Sequence, residues 1–365
     1  MKILIAGDWH SELHEEVVFH ALQSLGHTPI RFAWHDRFRK AGVLSILAKA
    51  QNKWLFGPLL RTLNEDFLRL ARHTRPDCIF FYRNTHIFPQ TLRQIRESLP
   101  STCLVSYNND DPFAPSQNAR LWKYFLEGIP FYDLVLAYRP RNLEEFKRAG
   151  ARHVDLLMPW YTPERNRPVT LTVEEQKAYG CDVVFVGHYE DDGRLQLLER
   201  LSASGVKLRL FGPGYEWDAP LGRSKALRAL APVRLVWGED YNKALCGAKI
   251  ALCFFSRLNR DAYTRRCFEI PATKTLLLSE YSKELGFIFE EDKEAAYFRS
   301  PETLVEKAKF YLNQPGQLRA VAEAGYRKVT TGGHNAEARM ANVVQSVQKI
   351  LQTEGATHGT HALGH

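Results

Sequence analysis

The segment Asn259-Arg260-Asp261-Ala262-Tyr263-Thr264-Arg265-Arg266-Cys267-Phe268-Glu269-Ile270-Pro271-Ala272-Thr273-Lys274 gathers side chains that can hold a phosphorylated, hydroxyl-rich ligand. Two acids, Asp261 and Glu269, stand eight residues apart with Thr264 and Arg266 between them. Eight residues is just over two helical turns, and the pattern reads as a loop acid ahead of a helix and a second acid inside it. A carboxylate in that place accepts both hydroxyls of a ribose, as an acid does in dinucleotide sites. Pairing of Glu269 with Arg265 or Arg266 is the structural alternative. A second segment, Val183 to Arg194, reads as a strand ending at Gly187, then His188 and a loop, then a helix starting near Arg194. Gly187 lets the backbone approach a diphosphate, and Arg194 offers its oxygens a planar fork. Gly212 closes the next strand, Lys207 to Gly212, on the same side. The bland alternative is an ordinary turn with a solvated arginine.

The first half of the chain carries its own candidates. Asp8 and His10 follow the first apolar run, Asn84 and His86 the second, and Asp110 with Asp111 the third. Adjacent carboxylates can raise one another's pKa and make one a general base near neutrality. Alternatively, one of them caps the turn at Pro112. His10 either hydrogen-bonds a sugar or caps the first helix.

Strand-like runs must position these groups: Lys2 to Gly7, Cys78 to Tyr82, Cys103 to Tyr107, Leu134 to Tyr138 and Val154 to Leu157, then Asp182 to Gly187, Lys207 to Gly212, Arg234 to Gly238, Lys249 to Phe255 and Thr275 to Glu280. Most are short and almost continuously apolar, the look of strands buried on both faces of a parallel sheet. Helical stripes lie between them, such as Leu13, Val17, Ala21, Leu22 and Leu25. Alternating β and α predicts an α/β fold of doubly wound sheets. The pattern occurs twice, interrupted by Pro159 to Pro168, where three prolines in ten residues suit a linker. The expected divisions are 1–160, 169–334, a last helix over 335–352 and a flexible tail over 353–365. That tail holds His358, His361 and His365, which without an apolar pattern read as a loose end rather than a metal site.

Composition narrows the class. With 365 residues, 45% apolar and 25% charged, the chain is long enough for two cores and unlike a disordered, collagenous or disulfide-stapled protein. No apolar run reaches the roughly 18 residues of a spanning helix. The N-terminus reads as a buried strand rather than a signal peptide, so a cytoplasmic location is expected. None of the six cysteines forms a C-x-x-C pair, and neither zinc nor a disulfide framework is expected. The formal charge of +8 suits an anionic partner, yet no nucleic-acid motif accompanies it. From Asp36 to Thr62 six cations (Arg37, Arg39, Lys40, Lys49, Lys53, Arg61) face one acid and interleave with Val43, Trp54, Phe56 and other apolar residues. Such a segment suits an anionic membrane surface or a lipid-linked acceptor, unless its apolar residues face the core.

Asn259 to Ala272 resembles the N-x-D-x-x-T-x-R-x-x-E-I-P-A signature of CgeB-like glycosyltransferases, the spore-maturation-protein group. The resemblance is close over about 180–340 and weaker in the first half, through Asn109-Asp110-Asp111-Pro112. It implies a GT-B fold: two facing Rossmann-like domains with a C-terminal helix crossing back to the first. It implies a nucleotide-sugar donor, a UDP-sugar foremost, on the second domain, a hydroxyl acceptor on the first, and neither cofactor nor metal. Residue by residue, Glu269 matches the ribose acid, Asp261 the first acid of a retaining E-x7-E pattern, and Arg194 and Arg266 diphosphate cations. Gly187, His188, Gly212 and Thr264 join the donor side; His10, Asp110 and Asp111 join the catalytic side with Asp261. A glycine is usual where Lys274 stands, and this lysine is expected to help hold the diphosphate. The alternatives are a nucleotide-sugar-binding membrane scaffold without turnover, or an epimerase on the same fold. A nicotinamide dehydrogenase is disfavoured by the lack of G-x-G-x-x-G.

Overall fold

The computed structural model describes residues 1–39 and 44–361; Lys40 and Val43 of the basic segment and His365 of the tail lie outside the described residues. The chain divides into two compact units, Met1–Met158 with the segment from Ala336 onward, and Pro159–Asn335.

The first unit is a six-stranded parallel sheet of β1 (Lys2–Gly7), β2 (Thr28–Ala33), β3 (Cys78–Tyr82), β4 (Cys103–Asn108), β5 (Leu134–Ala137) and β6 (Val154–Leu156), ordered β2-β1-β3-β4-β5-β6. Its helices are α1 (Glu15–Ser24), α2 (Leu44–Trp54), α3 (Pro58–Thr74), α4 (Pro89–Ser98), α5 (Ala119–Gly128) and α6 (Pro140–Arg148). Three of them start on proline, whose fixed φ and missing N–H suit the first helical turn. Side chains of β3, β4 and β5 are buried throughout, which their unbroken apolar runs anticipated. The edge strand β2 was not anticipated: its Thr-Pro-Ile-Arg-Phe-Ala sequence is half-exposed and carries a proline that only an edge tolerates.

The second unit has five parallel strands, β7 (Cys181–Val186), β8 (Leu208–Phe211), β9 (Ala248–Cys253), β10 (Leu276–Glu280) and β11 (Ala296–Phe298), ordered β11-β10-β9-β7-β8. Around them lie α7 (Val173–Tyr179), α8 (Arg194–Ala203), α9 (Gly214–Arg223), α10 (Gly238–Cys246), α11 (Arg266–Ala272), α12 (Lys283–Ile288), α13 (Pro301–Asn313) and α14 (Pro315–Thr331). The strand expected at Arg234 to Gly238 is absent. That stretch leads into α10 instead, and its carbonyl at Arg234 accepts from Gly212 N at 3.0 Å beside the β8 edge. The opposite edge is instead formed by β11, only three residues long.

The proline-rich stretch expected as a linker is tied into the second unit. Asn242 accepts from Arg167 N and donates to Arg167 O at 2.8 Å, and Asn166 caps Thr162. The last helix, α15 (Ala336–His361), belongs to the first unit and continues past the expected stop at 352. Met340, Val343, Val344 and Val347 lie against Ile3, Leu22 and Phe80, so its apolar stripe closes one face of the first sheet.

Both sheets reverse their winding once. In the first unit the chain goes outward from β1 to β2 and returns to β3; in the second it goes from β7 to β8 and returns to β9. At such a switch point adjacent loops diverge beyond the strand carboxyl ends and leave a crevice for a ligand.

Candidate functional site

In the second unit the switch point lies between β7 and β9, and both sequence segments singled out above meet there. Gly187 ends β7 with its N–H on Phe211 O at 2.9 Å and its carbonyl accepting from Trp217 Nε1 at 2.8 Å. A Cβ on Gly187 would sit 3.3 Å from the Arg266 guanidinium and 2.9 Å from the Phe185 ring, so glycine here gives the arginine room. Gly212 serves packing: a Cβ there would lie 2.3 Å from Gly187 O.

Arg266 opens α11. Its guanidinium stands 5.9 Å from the Phe185 ring centroid, and its buried Nε has no hydrogen-bond partner. An unsatisfied charged donor at a strand carboxyl end suits an anionic ligand. One turn on, Glu269 is buried, with Oε2 accepting from Tyr241 Oη at 2.6 Å and Oε1 lying 2.8 Å from Arg265 Nε. Pairing with Arg265 is therefore real, but a carboxylate has about four acceptor positions and two remain. Burial and the adjacent Glu269 charge drive the Tyr241 hydroxyl well above its ordinary range, so it stays a donor. Thr264 is buried at the helix entry, its hydroxyl 3.4 Å from Cys253 Sγ. Cys253 Sγ also lies 3.6 Å from Cys267 Sγ; that hydrogen bond, aided by the Arg266 charge and against burial, lowers the Cys253 pKa. Asp261 is half-buried on the loop between β9 and α11, its N–H donating to Ser256 O at 2.9 Å.

Two donor-side expectations find other duties. Arg194, 3% exposed, places Nε and Nη2 on the Asp192 carboxylate at 2.8 and 2.7 Å and donates from Nη1 to His188 O at 2.7 Å. Glu190 lies 3.6 Å further round the same guanidinium and accepts from Arg257 N at 3.1 Å. The arginine clamps the loop after β7 rather than presenting a free fork. His188 itself is exposed, with Nδ1 3.0 Å from Glu216. Lys274 lies at the wrong end of α11: a helix between parallel strands runs back toward their amino ends, so residues after it precede β10. There its Nζ meets Glu323 at 3.1 Å and the Tyr326 ring at 4.5 Å. Its φ of 59° explains why a glycine suits this position.

The structure adds residues that the sequence reading missed. Tyr241 and Trp237 come from α10 and its N-cap; Tyr241 bonds Glu269, and Trp237, one turn before it, is 54% exposed, an available stacking face. Gly193, φ 95°, makes no side-chain cap of its own at α8; Asp192 Oδ1 accepts from Arg194 N at 3.2 Å in its place. Beside this helix entry a cavity of about 450 Å³ is lined by Asp192, Gly193, Arg257, Glu280, Tyr281 and Arg299.

At the first unit's switch point, His10 Nδ1 lies 2.6 Å from Asp8 Oδ2, and His35 approaches the other oxygen at 3.4 Å. His10 is half-exposed, and the Asp8 hydrogen bond, opposed by partial burial and reinforced by the Asp8 charge, raises its pKa. Burial pushes Asp8 up, but His10 and its neighbouring imidazoles outweigh that and hold it low. The expected carboxylate pair is split between structural roles. Asp111 is fully buried and accepts from Phe113 N and from Asn142 Nδ2 at 2.9 Å, which caps the turn at Pro112. Asp110 lies 2.6 Å from Arg83 Nε. Asn84 and His86 are buried and engaged, His86 between Thr85 and Asn52 with its ring on Trp34. Among the described residues there is no group of three or more His, Cys, Asp or Glu that could hold a metal ion. Likewise, among the described residues no helix is long and apolar enough to cross a membrane.

Two Rossmann-like parallel units, the last helix returning to the first, define the GT-B fold. The chain is similar to sucrose-phosphate synthase from Thermosynechococcus elongatus (12% identity, TM-score 0.68, 96% of this chain and 99% of that one). It is similar also to a glycosyltransferase from Rickettsia africae ESF-5 (13%, 0.66, 96% and 98%) and to HepE from Anabaena in complex with UDP-glucose (12%, 0.64, 95% and 100%). Residues 194–345 match the family model described as glycosyl transferase-like. No match was found among curated proteins.

Proposed function

We propose that this chain is a glycosyltransferase of the CgeB-like kind, moving a sugar from a nucleotide-diphosphate donor to a hydroxyl on a glycan, lipid-linked or protein acceptor. The observation that carries the reading is the β7/β9 crevice, where Glu269 is held by Tyr241 and Arg265 one turn from an arginine whose Nε is unsatisfied. The ribose hydroxyls would bond the remaining lone pairs of Glu269, and the base would stack on Trp237. The diphosphate would lie against the Arg266 guanidinium. Complexes of HepE with UDP-glucose, UDP, and UDP with glucose make a UDP-sugar the first donor to try. Negative charge grows on the departing diphosphate as the glycosidic bond breaks, so Arg266 favours the transition state over the ground state. Asp261 would face the transferred sugar, and His10, oriented by Asp8, would handle the acceptor proton. The reading needs no cofactor or metal, and a cytoplasmic site of action accompanies it.

Thermal unfolding against UDP, GDP, ADP and their sugar conjugates tests the donor site, with Glu269→Ala and Arg266→Ala alongside. Donor at a hundred times Kd adds about 2.7 kcal/mol. A selective rise in Tm that both variants lose supports the reading, and release of UDP with a glycosylated product completes it. A wild type that responds to no nucleotide overturns it.

A further inference from the structure

Helix α2 turns an apolar stripe outward. Ile46, Leu47, Ala50 and Trp54 stand at i, i+1, i+4 and i+8, one side of a helix, and Ile46, Leu47 and Trp54 are 69%, 57% and 46% exposed. Phe56, 60% exposed, follows with its ring 6.4 Å from Trp54 and nearly parallel. The opposite side of the helix anchors it to the first unit. Ala48 and Leu55 are buried, Asn52 Oδ1 lies 2.7 Å from His86 Nε2, and Tyr124 Oη donates to Leu55 O at 2.9 Å. Gln51 accepts from Leu59 N at 2.8 Å and fixes the turn into α3. The outward stripe is thus a held surface rather than a loose end waiting to pack.

Charge says what covers it. Lys49 and Lys53, both exposed, border the stripe along one flank, Arg61 follows on α3, and no acid occurs between Arg37 and Asn64. An apolar ridge ending in Trp and Phe with lysines at its border is the layout of a helix lying in the plane of a membrane interface, where the lysine stems lie along apolar surface and the ammonium groups reach the headgroups. Self-association of this face would set cations against cations with no acid on either side to meet them. We propose that α2 and Phe56 dock the first unit on an anionic lipid surface. This deepens the acceptor part of the functional reading by placing the first unit where a lipid-linked hydroxyl would be found, but its test needs no donor and no turnover.

The test is co-sedimentation of the full chain with vesicles of phosphatidylcholine alone and with about one third phosphatidylglycerol. The expected result is pelleting with the anionic vesicles only, falling as salt rises from about 0.1 M to about 1 M and the Debye length shrinks from ~10 to ~3 Å. Lys49→Glu with Lys53→Glu should lower the partition coefficient roughly thirty-fold or more, from about five-fold per lysine. Trp54→Ser with Phe56→Ser should abolish pelleting, while circular dichroism shows an unchanged Tm because these side chains are exposed. Equal pelleting with neutral and anionic vesicles, or variants that pellet like wild type, overturns the proposal. So does a wild-type dimer in sedimentation velocity that Trp54→Ser dissolves, since the face would then belong to a second copy. A protein that binds no vesicle yet still responds to UDP would sink this inference and leave the donor reading standing.

Discussion

Replacing Arg194 by Ala separates a structural clamp from a ligand-binding cation. The guanidinium is 3% exposed and the Asp192 side chain 8%, so the substitution strands a buried carboxylate that now has two charged hydrogen bonds, and it also frees His188 O. Breaking a buried pair from one side costs about 3–5 kcal/mol. For a unit of this size each kcal/mol lowers Tm by about 2–4 °C, so the second unit's transition should fall by about 6–20 °C. Differential scanning calorimetry reads it directly. Arg194→Met combined with Asp192→Asn should recover at least half of the loss, because the cost comes mainly from the stranded charge. An Arg194→Ala protein with nearly unchanged Tm that no longer responds to a donor would refute the clamp and return Arg194 to the diphosphate.

Lys274→Gly should leave donor affinity within about two-fold and hold or slightly raise Tm, because the left-handed backbone costs a non-glycine residue about 1 kcal/mol and the exposed pair with Glu323 is worth less than that. A donor titration of this variant showing a large loss of affinity would put the lysine back in the site. His86 makes the first unit acid-sensitive: burial lowers its pKa from 6.5 to about 4, so the unfolded chain takes up a proton that the folded chain refuses. That stability is present above the unfolded pKa and lost as pH falls toward about 4, and it amounts to about 3 kcal/mol. Urea unfolding across this window should show a flatter profile for His86→Gln than for wild type, and identical slopes would refute the assignment.

What the sequence made legible follows burial. The central strands announce themselves as continuous apolar runs because helices cover both their faces, whereas β2 sits at an edge, where exposure mixes polar residues and a proline into the pattern, and β11 is buried but only three residues long, too short for a run to stand out. Arg234 to Gly238 misled for the converse reason: its Leu-Val-Trp core is apolar, but Leu235 and Trp237 are exposed and no strand pairs with it. In the site, Glu269 and Asp261 were read correctly as a helix acid and a loop acid, since that assignment needs only local spacing. Lys274 failed because five residues beyond Glu269 the helix has delivered the chain to the amino ends of the strands, away from the crevice. Tyr241 could not be found at all, for nothing in the sequence ties α10 to α11 across twenty-eight residues. Arg194 was located but misjudged, because Asp192 two residues away gives no sign that it folds back to saturate the fork.

The return of α15 to the first unit sets an order on biosynthesis. The surface it closes, at Ile3, Leu22 and Phe80, belongs to the first eighty-odd residues, while its own contacts begin at Met340. At about 5–20 residues per second a ribosome needs roughly 10–35 s to make the intervening second unit. During that interval the nascent first unit carries an uncovered apolar face, and a chain cut short before Met340 carries it permanently.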